Sequence, residues 1–401
     1  PATNLRTKMS KIERKQKALE REHQEEVHQR EKEERKGKLP PSFLPPLPFF
    51  GSDVVFVGHI VPDVDSIASA VGAAHLWNGT ALRAGHLNAE TRYVLERWGI
   101  TPPAHVRESY AGQPFVLVDH NAFEQRSKLL QGDQIRGILD HHALSEEPTS
   151  VPQPVFVDIR PWGSCSSVVA TKFLEHDVWI PSPLAGLLLS GVVSDTLNLR
   201  SPTATRWDSK LLHWLARRVV WQHPRKGEPI LGSDLALDQL NAAIDELAHA
   251  QFQAKANLTH MSLEQIALSD FKRYKLGRSV GLSKHELEVG WGTIETVEPF
   301  FSQYAERDIA KLVGTVLPKI RAAHGLSAVF VSVVDIEHVR SFVVCGSAVD
   351  CELLRAAFPA GKSRAVARTA GALLDTSPRV SRKHDFIPPL RKALEASAHR
   401  P

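Results

Sequence analysis

The chain has few cysteines, no long apolar run and no excess of either charge outside one end, and each shortage closes off a class of function. Its 401 residues include only Cys165, Cys345 and Cys351, which form no CxxC pair and no even framework. Neither a zinc knuckle nor a disulfide scaffold is expected, and a reducing compartment fits best. The longest apolar stretch, Leu184 to Val193, includes Ser190 and Gly191 and is too short to cross a bilayer. No membrane span is expected. The N-terminal residues lack the apolar core of a secretory signal and carry too many glutamates for a transit peptide, so the expected location is cytoplasmic.

Charge is equally uninformative over most of the length. Residues 1–38 hold 12 Lys/Arg against 8 Asp/Glu, which leaves 37 of each sign from the totals of 49 and 45. A formally neutral body argues against a nucleic-acid reader, which would carry a basic face on the domain itself. A small anionic substrate needs only local positive charge and stays open.

What is present begins at the N-terminus with a polar, helix-forming stretch whose apolar positions, Ile12, Leu19 and Val27, are too sparse for a coiled-coil seam. PPSFLPPLPFF at 40–50 reads as a stiff linker whose Phe43, Phe49 and Phe50 are candidates for packing back on the body. From Asp53 onward, short β-branched runs alternate with helical spacing. Val54 to Val57, Phe115 to Val118, Ile135 to Leu139 and Val155 to Ile159 read as buried strands. Ser66 to Trp77, Thr91 to Trp98, Ser164 to Glu175 and Pro183 to Ser194 read as helices. This alternation predicts an α/β fold, a doubly wound and mostly parallel sheet covered by helices on both faces.

A polar stretch from Trp221 to Asp234, with HPRKGEP at its centre, reads as a surface loop. A second, smaller α/β unit then starts near Asn257. The pattern predicts a helix over 311–323 stopped by Gly325, strands over 328–334 and 341–344, and a helix over 350–358.

Four separated segments each place metal-competent side chains just after an apolar run. They are VVFVGHIVPDVDS with His59, Asp63 and Asp65, VLVDHN with Asp119, GILDHH with His141 and His142, and GVVSDT with Asp195. The carboxyl ends of parallel strands line one crevice, so residues 50 or more positions apart can converge there. Carboxylates with imidazoles and no thiolate suit Mn2+ better than structural zinc. Six ligands, His59, Asp63, Asp65, Asp119, His141 and Asp195, are too many for one ion that keeps a position open for water. Two ions sharing a bridging carboxylate fit, and such a pair can activate water against a phosphoryl group. Asp65, just before Ser66, also reads as an N-cap. Asp53, His75 and His105 are read as isolated and are set aside. The second unit contributes cations, with Lys272 in SDFKRY and Ser381, Arg382 and Lys383 in SRKHDFIPPL, suited to a doubly phosphorylated anion.

With GHIVPDVDS, VDHN, LDHH and SRK in hand, the chain resembles the DHH phosphoesterase superfamily and, within it, the family II manganese-dependent inorganic pyrophosphatases, over roughly residues 53–395. NAETRYVLERWGI at 88–100 and LLLSGVVSDTLNLRSPTATRWD at 187–208 extend the likeness. The resemblance implies that His59, Asp63 and Asp119 hold one Mn2+ and that Asp65, Asp119, His141 and Asp195 hold the other, with Asp119 as the bridge. It implies that His142, Lys272, Arg382 and Lys383 grip the phosphates, that Mg2+ accompanies the substrate, that Co2+ can substitute for Mn2+, and that the protein forms a homodimer. The implied reaction is hydrolysis of pyrophosphate to two phosphates by a metal-bridged hydroxide.

The expected domains are 1–50, the tail and linker; 51–245, the metal-binding catalytic domain; and 246–401, the phosphate-binding domain, closing over the cleft. Ala143, Val61, Val64, Ala122 and Phe123 depart from the family pattern without removing an expected ligand. The competing readings are an exopolyphosphatase with the same ions and a non-catalytic scaffold acting through the N-terminal tail.

Overall fold

The computed structural model describes residues 47–397, except 52, 111, 145–147, 154, 223–228, 232–234, 257, 259–260, 269, 281–282 and 298–303. The charged tail, Phe43 and the centre of HPRKGEP therefore lie outside the described residues. No described helix is long and apolar enough to cross a membrane. The chain divides into two compact units, with the boundary between Ala254 and Lys255.

The first unit is built on β1 (Val55–Val57), α1 (Val64–Leu76), β2 (Thr80–Arg83), α2 (Ala89–Arg97), β3 (Ala104–His105), β4 (Phe115–Val118), β5 (Ile135–Asp140) and β6 (Phe156–Ile159). The helices α3 (Cys165–Glu175), α4 (Ser182–Thr196) and α5 (Arg206–Ala216), the strands β7 (Val220–Gln222) and β8 (Pro229–Leu231), and α6 (Leu237–Ala256) follow. The six strands β1 to β6 pair in the order β3-β2-β1-β4-β5-β6, every pair parallel. Strand order reverses between β1 and β4, which opens a crevice at their carboxyl ends. Val55, Val57, Leu82, Phe115, Leu117 and Ile135 fill one face of this sheet. Burial of each such side chain contributes about 1.5–3 kcal/mol.

Helix ends follow their sequence signals. Asp63 caps α1 by accepting from Ser66 N at 2.9 Å, and Asn88 caps α2 by accepting from Thr91 N at 2.7 Å. Asn78, Gly99 and Asp177, just past α1, α2 and α3, adopt left-handed φ angles of 52°, 63° and 51°. The linker is partly anchored. Phe50 is buried and packs against Phe56, Trp77 and Phe156, whereas Phe49 is 87% exposed. The loop expected over 221–234 needs correction at its ends, because β7 and β8 pair there as an antiparallel ribbon.

The second unit contains α7 (Leu263–Ala267), β9 (Phe271–Val280), β10 (Ser283–Thr296), α8 (Glu306–Lys311), α9 (Leu317–Ala323), β11 (Ala328–Asp335), β12 (Arg340–Cys345), α10 (Ala348–Ala357), β13 (Ser363–Ala365), β14 (Ala372–Asp375) and α11 (Ile387–Ser397). Its sheet runs β13-β14-β12-β11-β10-β9, with only β10 and β11 parallel. The helix expected over 311–323 starts earlier, at Glu306, and a π turn at Leu312–Val316 joins α8 to α9. Pro318 has no N–H for the carbonyl four residues back, so the helix widens just before it. The same happens at Arg382–Phe386, ahead of Pro388 and Pro389.

The cysteines, read as forming no disulfide scaffold, nevertheless include one bonded pair. Cys345 at the end of β12 and Cys351 in the first turn of α10 form a disulfide, with Cα atoms 5.3 Å apart. Ser347, which caps α10 by accepting from Asp350 N, lets the chain turn sharply enough for a six-residue separation to close.

Candidate metal centre

Three parallel strands and two helices deliver the ligand-type side chains of the first unit to one place. His59 follows β1, Asp119 follows β4, and His141 and His142 follow β5, all at carboxyl ends of the sheet. Asp63 and Asp65 sit at the start of α1, and Asp195 sits in the last turn of α4. The loop from β1 packs so tightly on α1 that a Cβ on Gly58 would lie 1.8 Å from Ser66 Oγ. A glycine there is a steric requirement.

The convergence is at atomic distances. His59 Nε2 lies 3.5 Å from Asp63 Oδ2 and 3.2 Å from Asp119 Oδ2. His141 Nε2 lies 3.2 Å from Asp119 Oδ1, 3.4 Å from Asp195 Oδ2 and 3.8 Å from Asp65 Oδ2. The potential ligand atoms of His59, Asp63 and Asp119 fall within 4.8 Å of one another, as do those of Asp65, His141 and Asp195. Asp119 thus turns one oxygen toward each group. Its backbone adopts φ 62°, a left-handed conformation costly for a non-glycine residue, and its N–H donates to Leu139 O at 2.9 Å.

Surrounding groups orient these side chains as outer partners orient metal ligands. His141 Nδ1–H donates to Trp162 O at 3.1 Å, which points the lone pair of Nε2 at the carboxylates. Asp65 accepts from Cys165 N at 2.6 Å and Ser166 N at 2.8 Å, so it caps α3 across space. The cap of its own helix is Asp63, which corrects the alternative reading of Asp65. Asp140 accepts from His141 N at 2.7 Å, His142 N at 3.1 Å and Asn121 Nδ2 at 2.6 Å, and its Oδ1 lies 2.9 Å from His142 Nδ1. A Cβ on Gly191 of α4 would lie 2.1 Å from Ser166 Oγ and 3.0 Å from Asp65 Oδ1, so α4 and α3 close tightly around this end.

So many acids in a water-poor site perturb one another. Burial opposes charge on His59, but Asp63 and Asp119 raise its pKa to about 10. Burial and the charge of Asp119 raise Asp65 to about 7. For Asp119, burial pushes upward and the close imidazoles of His141, His59 and His142 outweigh it, leaving its carboxyl well below the usual range. His120, between Asp119 and Asn121, is lowered to about 4 by burial and then by His59, and is a neutral core residue whose Nδ1 donates to Val118 O. His59 Nε2 and Asp119 Oδ1 are buried without a hydrogen bond of acceptable geometry. Converging lone pairs and buried carboxylates of this kind are what a divalent cation would satisfy, so the residues present fit metal.

The cations of the second unit form a separate arrangement. Arg382 donates to Asp270 O at 2.6 Å, Asp270 Oδ1 at 2.9 Å and Thr293 Oγ1 at 3.3 Å. Lys272 is the second residue of β9, two positions after Asp270, and Lys383 is exposed. Asp270 is held down to about 2: burial pushes its pKa up, and the charges of Arg382 and Lys272 outweigh it. Sequence reasoning missed Asp270, although it stands in SDFKRY beside Lys272. It also missed Asp140 and Asn121, which sit inside LDHH and VDHN and were hidden by attention to the ligand types.

Comparisons with known proteins bear on both units. Residues 53–192 match the DHH family, N-terminal domain, and residues 249–393 match the DHHA2 domain. A protein of Streptococcus suis named "Probable manganese-dependent inorganic pyrophosphatase" is 30% identical over 86% of this chain and 100% of its own length. Proteins of the same name from Lactococcus lactis and Deinococcus radiodurans are 34% and 29% identical, covering 57% and 85% of this chain and 69% and 98% of their own lengths. A crystal structure from Methanococcus jannaschii, described as that of a "putative family II inorganic pyrophosphatase", is 26% identical and superposes with a TM-score of 0.65 over 85% of this chain and 99% of that one.

Proposed function

Since the chain belongs to the manganese-dependent inorganic pyrophosphatases of the DHH family, we propose that it hydrolyses inorganic pyrophosphate to two phosphates at a pair of divalent metal ions. The observation that carries this reading is the placement of Asp119, with Oδ2 3.2 Å from His59 Nε2 and Oδ1 3.2 Å from His141 Nε2. One carboxylate facing two sets of ligand atoms suits a bridge between two ions.

His59, Asp63 and Asp119 would hold one Mn2+, and Asp65, Asp119, His141 and Asp195 the other, with Co2+ as a substitute. Bound there, the ions supply Lewis acidity and make coordinated water acidic enough to attack phosphorus at neutral pH. The chain's own residues handle the substrate. His142, held through Nδ1 by Asp140 at 2.9 Å, presents its ring to a phosphate oxygen in a fixed orientation and can pass a proton to the departing phosphate. Arg382, aligned by Asp270, and Lys272 and Lys383 neutralise phosphate oxygens, and Mg2+ accompanies pyrophosphate as a further counter-charge.

The test is phosphate release from pyrophosphate, tripolyphosphate and long-chain polyphosphate by the full chain in Mn2+, paired with analysis of bound metal. Pyrophosphate is expected to be cleaved fastest, with two ions per chain. Faster cleavage of polyphosphate would overturn the substrate assignment in favour of an exopolyphosphatase.

A further inference from the structure

Asp195 differs from the other ligand-type residues in being carried by the C-terminal end of a helix, and that end is held by contacts the proposed chemistry does not use. Helix α4 finishes at Thr196 and is followed by three residues in left-handed conformation, Leu197, Asn198 and Leu199, with φ of 52°, 51° and 64°. Such a run is costly for non-glycine residues and persists only where neighbours fix it.

The neighbours are α2 and α6. Glu90, in the first turn of α2, is fully buried, and its Oε1 accepts from Ser194 Oγ at 2.8 Å and Gln251 Nε2 at 2.9 Å. Gln251 Nε2 also donates to Ser190 O at 2.9 Å, and Trp98 Nε1 donates to Ser190 Oγ at 3.0 Å. One turn and a half away on the same helix α6, Asp245 accepts from Asn198 Nδ2 at 2.6 Å. The residues on either side of Asp195 are therefore pinned, Ser190 and Ser194 before it and Asn198 after it. A buried carboxylate among helices is costly unless donors meet it, and here one donor comes from the residue next to Asp195.

We propose that Glu90, Gln251 and Asp245 are positioning residues for Asp195, splinting the end of α4 so that this carboxylate faces His141 and thereby setting the affinity of the Asp65–His141–Asp195 pocket for its ion. The inference rests on the two-metal reading above and extends it to residues outside the ligand set. It distinguishes the two pockets, because His59 and Asp63 hang from β1 and α1 and make none of these contacts.

The experiment is calorimetric titration of the metal-stripped full chain with Mn2+, with Asp195→Asn used to identify which binding step belongs to this pocket. Glu90→Met and Gln251→Met, which keep volume and remove the hydrogen bonds, should weaken that step by about 10-fold or more while the His59–Asp63–Asp119 step stays within about 2-fold. Glu90→Gln keeps an acceptor and should restore wild-type affinity. Should the buried variants fail to fold, Asp245→Ala changes an exposed residue and should still weaken the same step about 3-fold. Equal weakening of both steps, or unchanged affinities with a lowered melting temperature, would show a role in packing alone and overturn the proposal. A wild-type chain that takes up fewer than two ions would instead overturn the two-metal reading itself.

Discussion

The two units carry their chemistry in opposite ways. In the first, short side chains on strand ends and helix caps meet at fixed distances, with imidazoles and carboxylates 3.2–3.8 Å apart in a buried crevice. In the second, the long side chain of Arg382 is aimed by Asp270, one guanidinium nitrogen donating to its carboxylate and another to its backbone carbonyl, and Lys272 adds charge beside the same carboxylate. A short ligand leaves its position to the backbone, and a long one needs a neighbour to aim it. Errors in the first unit should therefore remove metal, and errors in the second should spare metal and impair substrate handling.

The sharpest way to break this contrast is Asp119→Ala. It should lower turnover by about 1,000-fold or more and bring bound metal below two ions per chain, as read by elemental analysis and phosphate release. Wild-type-like turnover in this variant would refute the bridge. Next in size, Arg382→Ala should lower kcat/KM by about 100-fold with metal content intact. Loss of metal in that variant would erase the distinction between the units.

Acid–base behaviour offers a milder test. His59, lifted to about 10 in the metal-free protein, stabilises the fold through its charged form. A raised pKa means that this stabilisation is complete below the ordinary value of about 6.5 and fades as pH rises toward 10. Metal must displace that proton, so Mn2+ affinity should move the other way, gaining up to about 10-fold per pH unit where one proton is released. Melting curves of metal-stripped and Mn2+-loaded protein between pH 7 and 10 should diverge, and His59→Asn should flatten the metal-free slope. Parallel curves would remove His59 from the metal site. The smallest expected effect is deletion of residues 1–46, which keeps the buried Phe50 in place and should leave turnover within about 2-fold. Loss of activity on that deletion would give the tail a role neither unit accounts for.

How much of this could be read beforehand depended on the same contrast. The central parallel strands β1, β4 and β5 were legible because they are short, β-branched and buried, as in VFV and FVLV, whereas β2 and β3 towards one edge were missed and β6, read as buried, leaves Val157 52% exposed. His59, Asp119, His141 and His142 could be picked out because each follows one of those central runs, and Asp195 because it follows the apolar stretch of a helix. The hairpin of β9 and β10 was missed. Its segments FKRYKLGRSV and SKHELEVGWGTIET scatter charge through the strands, and the pairing of Trp291 with Lys272 depends on register that no local pattern announces. Asp270 was missed because it matters only once folding brings Arg382 to it across 112 positions. The Cys345–Cys351 bond was missed because three cysteines without a motif look unpaired, and only the turn into α10 brings two of them together.

The left-handed turn at Asp119 carries a lesson for anyone who would transplant this centre. Its amide is tied to Leu139, two residues before His141 on the neighbouring strand, so the main chain itself holds the spacing between those two side chains. Grafting the acidic and histidine residues onto another parallel sheet would reproduce the inventory and lose the aim. The peptide bend, and the strand that clasps it, would have to travel with them.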